Sequence, residues 1–364
     1  MASLRVLCGI AALGVGILGG MLLYRSPSGR NETSSYGANT YGLQRDAALE
    51  VFTRQIADHP EDYMLYLRRG LTLQGMGRQE EALTDLTDAL RLSPPVLTAE
   101  ELGDRANNLA LPETHRWTLA RELHRQRAVA LEALGRPSDA LADLDAAVAL
   151  NTKDTDVLER RGIVRTYTGR IKDAIDDFNA VLNRLPIPTA VVGRANAKYL
   201  GGDYAGAAED FTRAISMSPD KGLYAVWLLK SQLRGRLAIP LKQFEDLPKD
   251  NPAWIGINAL LADDTPAQMA ASLAAGTAKD KALACDGMVF LGEWLVIKTD
   301  GRNAPAAFKD AISACRPGTM PHAVATLELR RLATAANAPA ATPAPKAPAI
   351  MRETPAATGV SPGI

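Results

Sequence analysis

The fold is decided by residues 121–219, which read RELHRQRAVALEALGRPSDALADLDAAVALNTKDTDVLERRGIVRTYTGRIKDAIDDFNAVLNRLPIPTAVVGRANAKYLGGDYAGAAEDFTRAISMSP. An alanine recurs in this stretch at intervals of 34 and 33 residues, at Ala140, Ala174 and Ala207. The same kinds of neighbour accompany each alanine. A large apolar residue lies four places after it, a small residue twelve places before it and a glycine five places before it: Leu144, Phe178 and Phe211; Ala128, Gly162 and Ala195; Gly135, Gly169 and Gly202. The stretch therefore repeats one unit three times.

Each unit has the pattern of two antiparallel helices. Small residues at matched places let two helix backbones approach closely, and an apolar residue four places on lies one turn away on the same helix face. The glycine supplies the turn between the helices, and Pro186 and Pro219 end the second and third units. The pattern predicts three consecutive helical hairpins.

A helical hairpin repeated about every 34 residues resembles the tetratricopeptide repeat. The resemblance implies an all-α fold, a right-handed superhelical solenoid, and a non-catalytic scaffold or adaptor for a protein or peptide partner. Related spacings extend the predicted solenoid to residues 43–334, with repeats near 43–60 (partial), 63–96, 121–154, 155–187, 188–221 and 285–318. Residues 96–118 interrupt the period, either as a longer first helix with its loop or as a contact surface.

The two ends of the chain differ from the repeats. Val6 to Leu23 is an uninterrupted apolar run, long enough for a membrane-spanning helix, so residues 1–25 are predicted to be a signal anchor. A cleaved signal peptide is the alternative, since a basic residue followed by an apolar run also opens a secretory signal. Residues 26–42, rich in Ser, Gly, Asn and Thr, are predicted to be a flexible linker. The Ala/Pro-rich residues 335–364 are predicted to be a disordered tail.

The segment after the three hairpins carries a second resemblance. Its markers are Trp227-Leu228, Trp254, Thr265-Pro266, Cys285-Asp286, Phe290-Leu291-Gly292, Phe308, Cys315 and Glu328-Leu329. From about Gly222 to Leu332 the chain resembles the carboxyl-terminal half of bacterial NlpI-like tetratricopeptide proteins.

This second resemblance implies an exported adaptor of the bacterial cell envelope. Such an adaptor docks proteases or peptidoglycan-processing enzymes, and here the amino-terminal helix would hold it in the membrane with its repeats in the periplasm. No lipid-acceptor cysteine follows the apolar run, which departs from the lipoprotein type of that family. A cytosol-facing, membrane-anchored receptor or assembly factor is the alternative function.

Two cysteines lie outside the apolar run. Cys285 opens one helix of the last predicted hairpin, and Cys315 closes the other. Antiparallel helices bring these ends together, which permits a disulfide, and an even number of cysteines suits an oxidising compartment. A disulfide and two buried thiols are both compatible with the sequence.

The composition argues against several functions. Basic and acidic residues balance at 41 each, so no overall positive field attracts nucleic acid. The four histidines lack the i, i+4 spacing of a helical metal site, and no glycine-rich phosphate loop or nucleophile motif occurs. No catalytic, metal or cofactor site is therefore predicted. The acidic residues of the second helices are predicted to form a solvated stripe: Asp143, Asp145, Asp176, Asp177, Glu209 and Asp210.

The first helices offer the candidate binding surface. The candidate peptide-groove residues combine charged, amide and aromatic side chains: Arg125, Glu159, Tyr167, Asn196 and Tyr199. Such a surface suits an extended peptide or a partner helix. Val129 and Ile163 stand where some co-chaperones carry a clamp asparagine, so a receptor for acidic chaperone tails is disfavoured. Solenoid ends expose apolar surface unless capped, so a homo-oligomer is a further option.

Overall fold

In the computed structural model, the residues described are 35–94, 113–218, 222–262, 264–277, 281–298, 303–315, 319–336 and 350–351. They form fifteen α-helices, one short 3-10 helix and one pair of two-residue strands, which confirms the all-α class. The helices before residue 220 are α1 (Ser35–Asp58), α2 (Tyr63–Gly75), α3 (Gln79–Leu92), α4 (Glu113–Ala133), α5 (Pro137–Leu150), α6 (Thr155–Tyr167), α7 (Ile171–Leu182), α8 (Pro188–Gly201) and α9 (Tyr204–Met217). The later elements are α10 (Gly222–Gly235), β1 (Ile239–Pro240), the 3-10 helix Leu241–Phe244, α11 (Pro252–Ala262), α12 (Pro266–Thr277), α13 (Lys281–Lys298), α14 (Ala304–Ala314), α15 (Met320–Ala336) and β2 (Ile350–Met351).

The chain divides into two compact units, residues 1–48 and 49–364. Of the first unit the structure describes residues 35–48, which are helical and belong to α1. The hairpins and the carboxyl-terminal helices all belong to the second unit.

Four successive hairpins, α2–α3, α4–α5, α6–α7 and α8–α9, fill the ranges where full repeats are expected before residue 220. Each turns at a glycine with φ between 71° and 88°, a left-handed conformation that a side chain disfavours: Gly77, Gly135, Gly169 and Gly202. The bond from the Arg136 N–H to the Leu131 carbonyl, at 2.8 Å, then closes the end of α4. The glycine of the repeat is thus the helix stop that the sequence predicts.

Small residues set the distance between helices. The ring of Phe178, which is fully buried, lies against Gly162 of its own hairpin and Gly193 of the next. A Cβ at Gly162 would lie 3.0 Å from the ring, and one at Gly193 would lie closer still. Phe178 therefore fills the gap between two hairpins because both partners lack a side chain.

The helices after α9 are less regular but share one core. A single apolar cluster runs from Ala195 and Tyr199 on α8 to Val324 and Ala325 on α15. It includes Trp227, Phe244, Phe290, Trp294 and Phe308, all of them buried. The carboxyl-terminal helices therefore pack against the last repeat hairpin as part of one body.

Two predicted boundaries need correction. Helix α1 begins at Ser35, inside the predicted linker 26–42, because an established helix extends through weak helix formers more easily than it nucleates there. The predicted tail 335–364 contains strand β2, since Ile350 and Met351 are an apolar pair that finds a partner strand in β1. The predicted anchor, residues 1–25, lies outside the described residues, and so does most of the 96–118 interruption. None of the described helices is long and apolar enough to cross a membrane.

Candidate protein-binding groove

We define the groove face as a set of half-buried side chains on the first helices α4, α6 and α8: Arg125, Val129, Glu132, Glu159, Ile163, Val192 and Asn196. Bonds between neighbouring helices place these side chains on one surface. Nε of Arg160 on α6 donates to Glu132 on α4 at 2.8 Å. On the next helix, α8, Thr189 is hydrogen-bonded to Glu159. Val192 and Asn196 follow Thr189 at helical spacing, so they continue the same face.

The groove face carries charge that its own cations do not balance. Arg125 forms two hydrogen bonds with Glu122, and Glu132 is paired with Arg160. No cation of the described residues lies within ion-pair distance of Glu159. Burial raises the pKa of Glu159, and the nearby charge of Asp156 raises it further, against a hydrogen bond from Thr189. Glu159 is therefore a carboxylate available to a cationic or hydrogen-bond-donating partner.

Asn196 adds an unused acceptor to the groove face. Its Oδ1 atom is buried and accepts no hydrogen bond from the described residues. Buried polar atoms nearly always have a partner, so such an atom needs an explanation. A donor supplied by a bound segment, such as a backbone N–H, would satisfy it.

The two tyrosines predicted to line the groove, Tyr167 and Tyr199, pack against the carboxyl-terminal apolar cluster. Tyr199 is buried, and its hydroxyl donates to Oε1 of Glu293 on α13 at 2.8 Å. Its ring packs edge-on against Trp227 and Tyr204. The placement of Tyr199 in an open groove is therefore wrong, because α13 covers this end of α8. Tyr167 is half-buried against the same apolar cluster, and burial raises its pKa to about 12.

The hairpins also contain buried arginine–aspartate pairs, which were not predicted from the sequence. In each of the four, an arginine of the first helix forms two hydrogen bonds, 2.6–3.0 Å long, with an aspartate sixteen residues later on the second helix. The aspartates are only 3–4% exposed. We call this set the Arg–Asp ladder: Arg69–Asp85, Arg127–Asp143, Arg161–Asp177 and Arg194–Asp210.

The ladder corrects the predicted solvated stripe. Asp143, Asp177 and Asp210 lie three residues after the small alanine of each repeat, which places them on the side that faces the first helix. Burial alone would raise the pKa of Asp143, but hydrogen bonds from His124 and Arg127 hold it below its usual value. The recurring interval of sixteen residues between arginine and aspartate was the signal that could have revealed these pairs.

The ladder also joins one hairpin to the previous one. Nη1 of Arg161 donates to Asp145 on α5 at 2.9 Å, and Nη1 of Arg194 donates to Asn179 on α7 at 2.8 Å. The first ladder arginine, Arg69, reaches Thr53 on α1 in the same way, at 3.3 Å. Arg161 and Arg194 therefore fix the register between two hairpins as well as within one, and Arg69 joins its hairpin to α1.

Comparison with known sequences agrees with this repeat geometry. Residues 65–95, which cover most of the hairpin α2–α3, match the family model described as the tetratricopeptide repeat. This chain is a tetratricopeptide repeat protein. The groove face is accordingly the side formed by the first helices of its repeats.

Parts of this chain are similar to known proteins. Tetratricopeptide repeat protein 36 of Bos taurus is 36% identical over 66 residues, which are 18% of this chain and 35% of that protein. A tetratricopeptide repeat protein of Parabacteroides merdae, solved as a crystal structure, is 18% identical, with 80% of this chain and 94% of that chain covered and a TM-score of 0.48. The carboxyl-terminal part of a repeat-containing protein of Cytophaga hutchinsonii is 16% identical, with 75% and 92% covered and a TM-score of 0.43.

Beyond the tetratricopeptide hairpins, charges are buried without a repeat. Lys230 on α10 is fully buried, with Nζ 3.6 Å from the centroid of the Trp227 ring and 3.7 Å from Asp286. Burial lowers the pKa of Lys230, against the charges of Asp286 and Glu293. Burial raises the pKa of Glu293. The positive charge of Arg234, whose Nε lies 3.2 Å from a carboxylate oxygen of Glu293, acts in the opposite direction.

The same network ties α15 to the last tetratricopeptide hairpin. Glu328 accepts hydrogen bonds from Arg234 at 2.9 Å and from Arg331 at 2.5 Å. Arg331 also donates to the Tyr204 hydroxyl and to the Leu200 carbonyl. We call the whole set the carboxyl-terminal charge network: Tyr199, Tyr204, Lys230, Arg234, Asp286, Glu293, Glu328 and Arg331.

The structure joins Cys285 and Cys315 by a disulfide, with their Cα atoms 5.4 Å apart. Cys285 lies in the second turn of α13, and Cys315 caps the end of α14. The bond therefore closes the last helical hairpin. Among the described residues, no group of three or more His, Cys, Asp or Glu side chains could hold a metal ion.

Proposed function

We propose that this tetratricopeptide repeat protein is a scaffold that binds a partner protein or peptide through the groove face. The observation that carries the proposal is unused bonding capacity on that face. Asn196 keeps a buried oxygen without a donor, and Glu159 has no paired cation among the described residues. A segment that supplies backbone N–H groups and a cationic or donor side chain would satisfy both.

The half-buried apolar residues of the groove face support the same proposal. Val129, Ile163 and Val192 lie between the charged and amide positions on neighbouring helices. Binding sites combine apolar contact with a few placed polar groups in this way. The polar groups would set the register of the ligand, and the apolar groups would supply contact area.

The test is the loss of partner binding by a groove variant. The full-length chain carrying Arg125→Ala, Glu159→Ala and Asn196→Ala serves as bait beside the unchanged chain. A matched control carries three substitutions at exposed positions beside or on the second helices, Arg170→Ala, Lys172→Ala and Glu209→Ala. We expect the partner captured by the unchanged chain to bind the groove variant at least about tenfold more weakly, and the control normally. Equal binding by all three chains would refute the groove as the binding site.

We further propose that the scaffold works in the bacterial cell envelope, with a protease or a peptidoglycan-processing enzyme among its partners. The apolar run Val6–Leu23, the likeness of residues 222–332 to NlpI-like proteins and the Cys285–Cys315 bond support this location. A disulfide is favoured in an oxidising compartment such as the periplasm. Protease added to spheroplasts should then digest the repeats from outside.

The alternative is a membrane-anchored receptor or assembly factor whose repeats face the cytosol. The positive charges on both sides of the apolar run, Arg5 on one side and Arg25 and Arg30 on the other, leave this orientation open. In that case the repeats would resist protease in spheroplasts until the cells are lysed. The same experiment therefore decides between the two locations.

A further inference from the structure

Strands β1 and β2 join two distant parts of the chain. They pair in parallel, with Ile239 opposite Ile350 and Pro240 opposite Met351. β1 follows α10, whereas β2 lies in the Ala/Pro-rich tail, fourteen residues after the end of α15. The tail thus adds a strand to an edge that the carboxyl-terminal region presents.

The edge at β1 is held in place by its surroundings. Arg236 has φ of 53°, a left-handed conformation that turns the chain out of α10. The N–H of Leu237 then bonds to the Gln232 carbonyl at 2.9 Å. Ile239 and Phe244, which follows the strand in the 3-10 helix, are both fully buried in the apolar core. The chain entering β1 is therefore held by a helix end and by core residues as well as by the tail strand.

The tail has one segment suited to this edge. In residues 337–364, Ile350 and Met351 are the only two large apolar residues that are adjacent. Proline occurs at positions 339, 343, 345 and 348 before them and at 355 and 362 after them. Proline lacks the N–H of a strand ladder, so the flanks limit the pairing to a short stretch.

The short connection favours pairing within one chain. Residues 337–349 link α15 to β2, and thirteen residues span at most about 45 Å when fully extended. A connection of this length gives an effective concentration of order millimolar. A separate peptide of the same sequence would have to exceed that concentration, or bind more tightly, to replace the tail.

We propose that the edge of β1 is a docking site for an extended peptide, and that the tail segment Ile350–Met351 of the same chain occupies it. The recognised peptide runs parallel to β1 and carries two adjacent large apolar residues. A partner with such a segment competes with the tail. This site is separate from the groove face, so a negative result for one site leaves the proposal for the other unchanged.

The test uses a fluorescent peptide with the sequence of residues 345–355, PKAPAIMRETP, and the full-length chain. One variant carries Ile350→Asp and Met351→Asp, which remove the tail segment as a competitor. A matched control carries Val360→Asp and Ile364→Asp, at the other large apolar residues of the tail. We expect the peptide to bind the Ile350/Met351 variant with an apparent Kd at least about tenfold lower than for the unchanged chain and the control.

Hydrogen exchange provides the second readout. Amides of residues 237–244 should exchange faster in the Ile350/Met351 variant than in the unchanged chain and the control. Equal peptide binding to all three chains, no binding up to about 1 mM, or unchanged exchange would overturn the proposal. Protection that disappears when a dimer is diluted to monomer would overturn it as well, because the tail would then pair with a second copy.

Discussion

The repeat hairpins α2–α9 and the carboxyl-terminal helices α10–α15 both bury charged side chains, but they do so in different ways. In the hairpins, each buried aspartate meets an arginine sixteen residues earlier, and the arrangement recurs with the repeat. In the carboxyl-terminal helices, six charged residues form one network without a period. Its hydrogen bonds join residues as far apart as Leu200 and Arg331.

This difference shows what buried charges contribute. A buried ion pair adds little net stability over a well-packed apolar pair, whereas removal of one partner is costly. We infer that the buried pairs of this chain contribute mainly by disfavouring other arrangements of its helices. The ladder fixes the register of α6–α7 on α4–α5 and of α8–α9 on α6–α7. The carboxyl-terminal network fixes the position of α13 and α15 against α8 and α10.

The greatest loss of stability is expected when the first ladder pair, Arg69–Asp85, is broken. Among the described residues, Asp85 has Arg69 as its cation, whereas Asp177 has both Arg161 and Arg165. Arg69→Met leaves a buried carboxylate unpaired, and we expect it to lower the free energy of unfolding by about 3–5 kcal/mol. Urea denaturation measures the change.

Arg161→Met is the matched control for Arg69→Met. Arg161→Met should lower the free energy of unfolding clearly less than Arg69→Met does, because Arg165 remains bonded to Asp177 at 2.8 Å. Asp85→Leu, added to Arg69→Met, should recover most of the loss, since it removes the unpaired charge. If the two arginine variants lose the same stability, the ladder pairs do not behave as this comparison requires.

The disulfide should affect only the carboxyl-terminal region. Cys285 and Cys315 are 30 residues apart. A cross-link over a loop of that length lowers the entropy of the unfolded chain, which raises the free energy of unfolding by about 3–4 kcal/mol. Replacement of both residues by alanine should therefore reduce hydrogen-exchange protection in α13 and α14. Protection in α6 and α7 should stay the same, and a comparable loss there would contradict the division into two regions.

Tyr199→Phe tests the contact between the regions. It removes the hydroxyl that donates to the buried Glu293, so we expect a loss of about 1–3 kcal/mol in thermal or urea unfolding. Tyr167→Phe is the control, because the Tyr167 hydroxyl forms no hydrogen bond with the described residues and should change stability by less than about 0.5 kcal/mol. If both variants lose the same stability, the Tyr199–Glu293 hydrogen bond does not stabilise the contact between the two regions.

The pH dependence of stability should change least, and with opposite signs, at Glu159 of the groove face and at Glu122, the partner of Arg125. Burial raises the pKa of Glu159 above its usual value of 4.5, so the folded chain loses stability as the pH rises through 4.5 toward the raised value. Glu159→Gln removes that loss and should stabilise the chain at pH 8 by about 0.5 kcal/mol.

Glu122→Gln should have the opposite sign. Burial would raise the pKa of Glu122, but hydrogen bonds from Arg125 and Gln126 lower it overall. The ionised Glu122 therefore stabilises the folded chain above pH 4.5, and this stabilisation is lost as the pH falls. The Glu122→Gln variant should then be less stable than the unchanged chain at pH 8. Unfolding free energies of both variants between pH 4 and pH 8 give the comparison, and the same sign for both would contradict it.

The features that could be predicted from the sequence are those that recur. Ala140, Phe178 and Gly202 take their places in the hairpins because small, large and turn-forming residues return with the period. The ladder returns with the same period, so Asp143 and Arg127 could have been paired by their spacing. The groove positions Arg125, Glu159 and Asn196 follow from that period as well.

The features that could not be predicted depend on single long-range contacts. The burial of Tyr199 requires Glu293, which lies 94 residues later on a helix outside the period. The pairing of Ile239 with Ile350 crosses most of the carboxyl-terminal region. Neither contact leaves a periodic trace, so only the folded structure reveals it.

In the proposed function, partners bind the groove face of the first helices. A photo-activated crosslinking residue at Ile163, on that face, tests it directly, with Lys172 on the second helix α7 as the control position. We expect crosslinks from position 163 to the partner captured by the unchanged chain, and none to that partner from position 172. Crosslinks from position 172 alone, or equal crosslinking from both positions, would contradict the account.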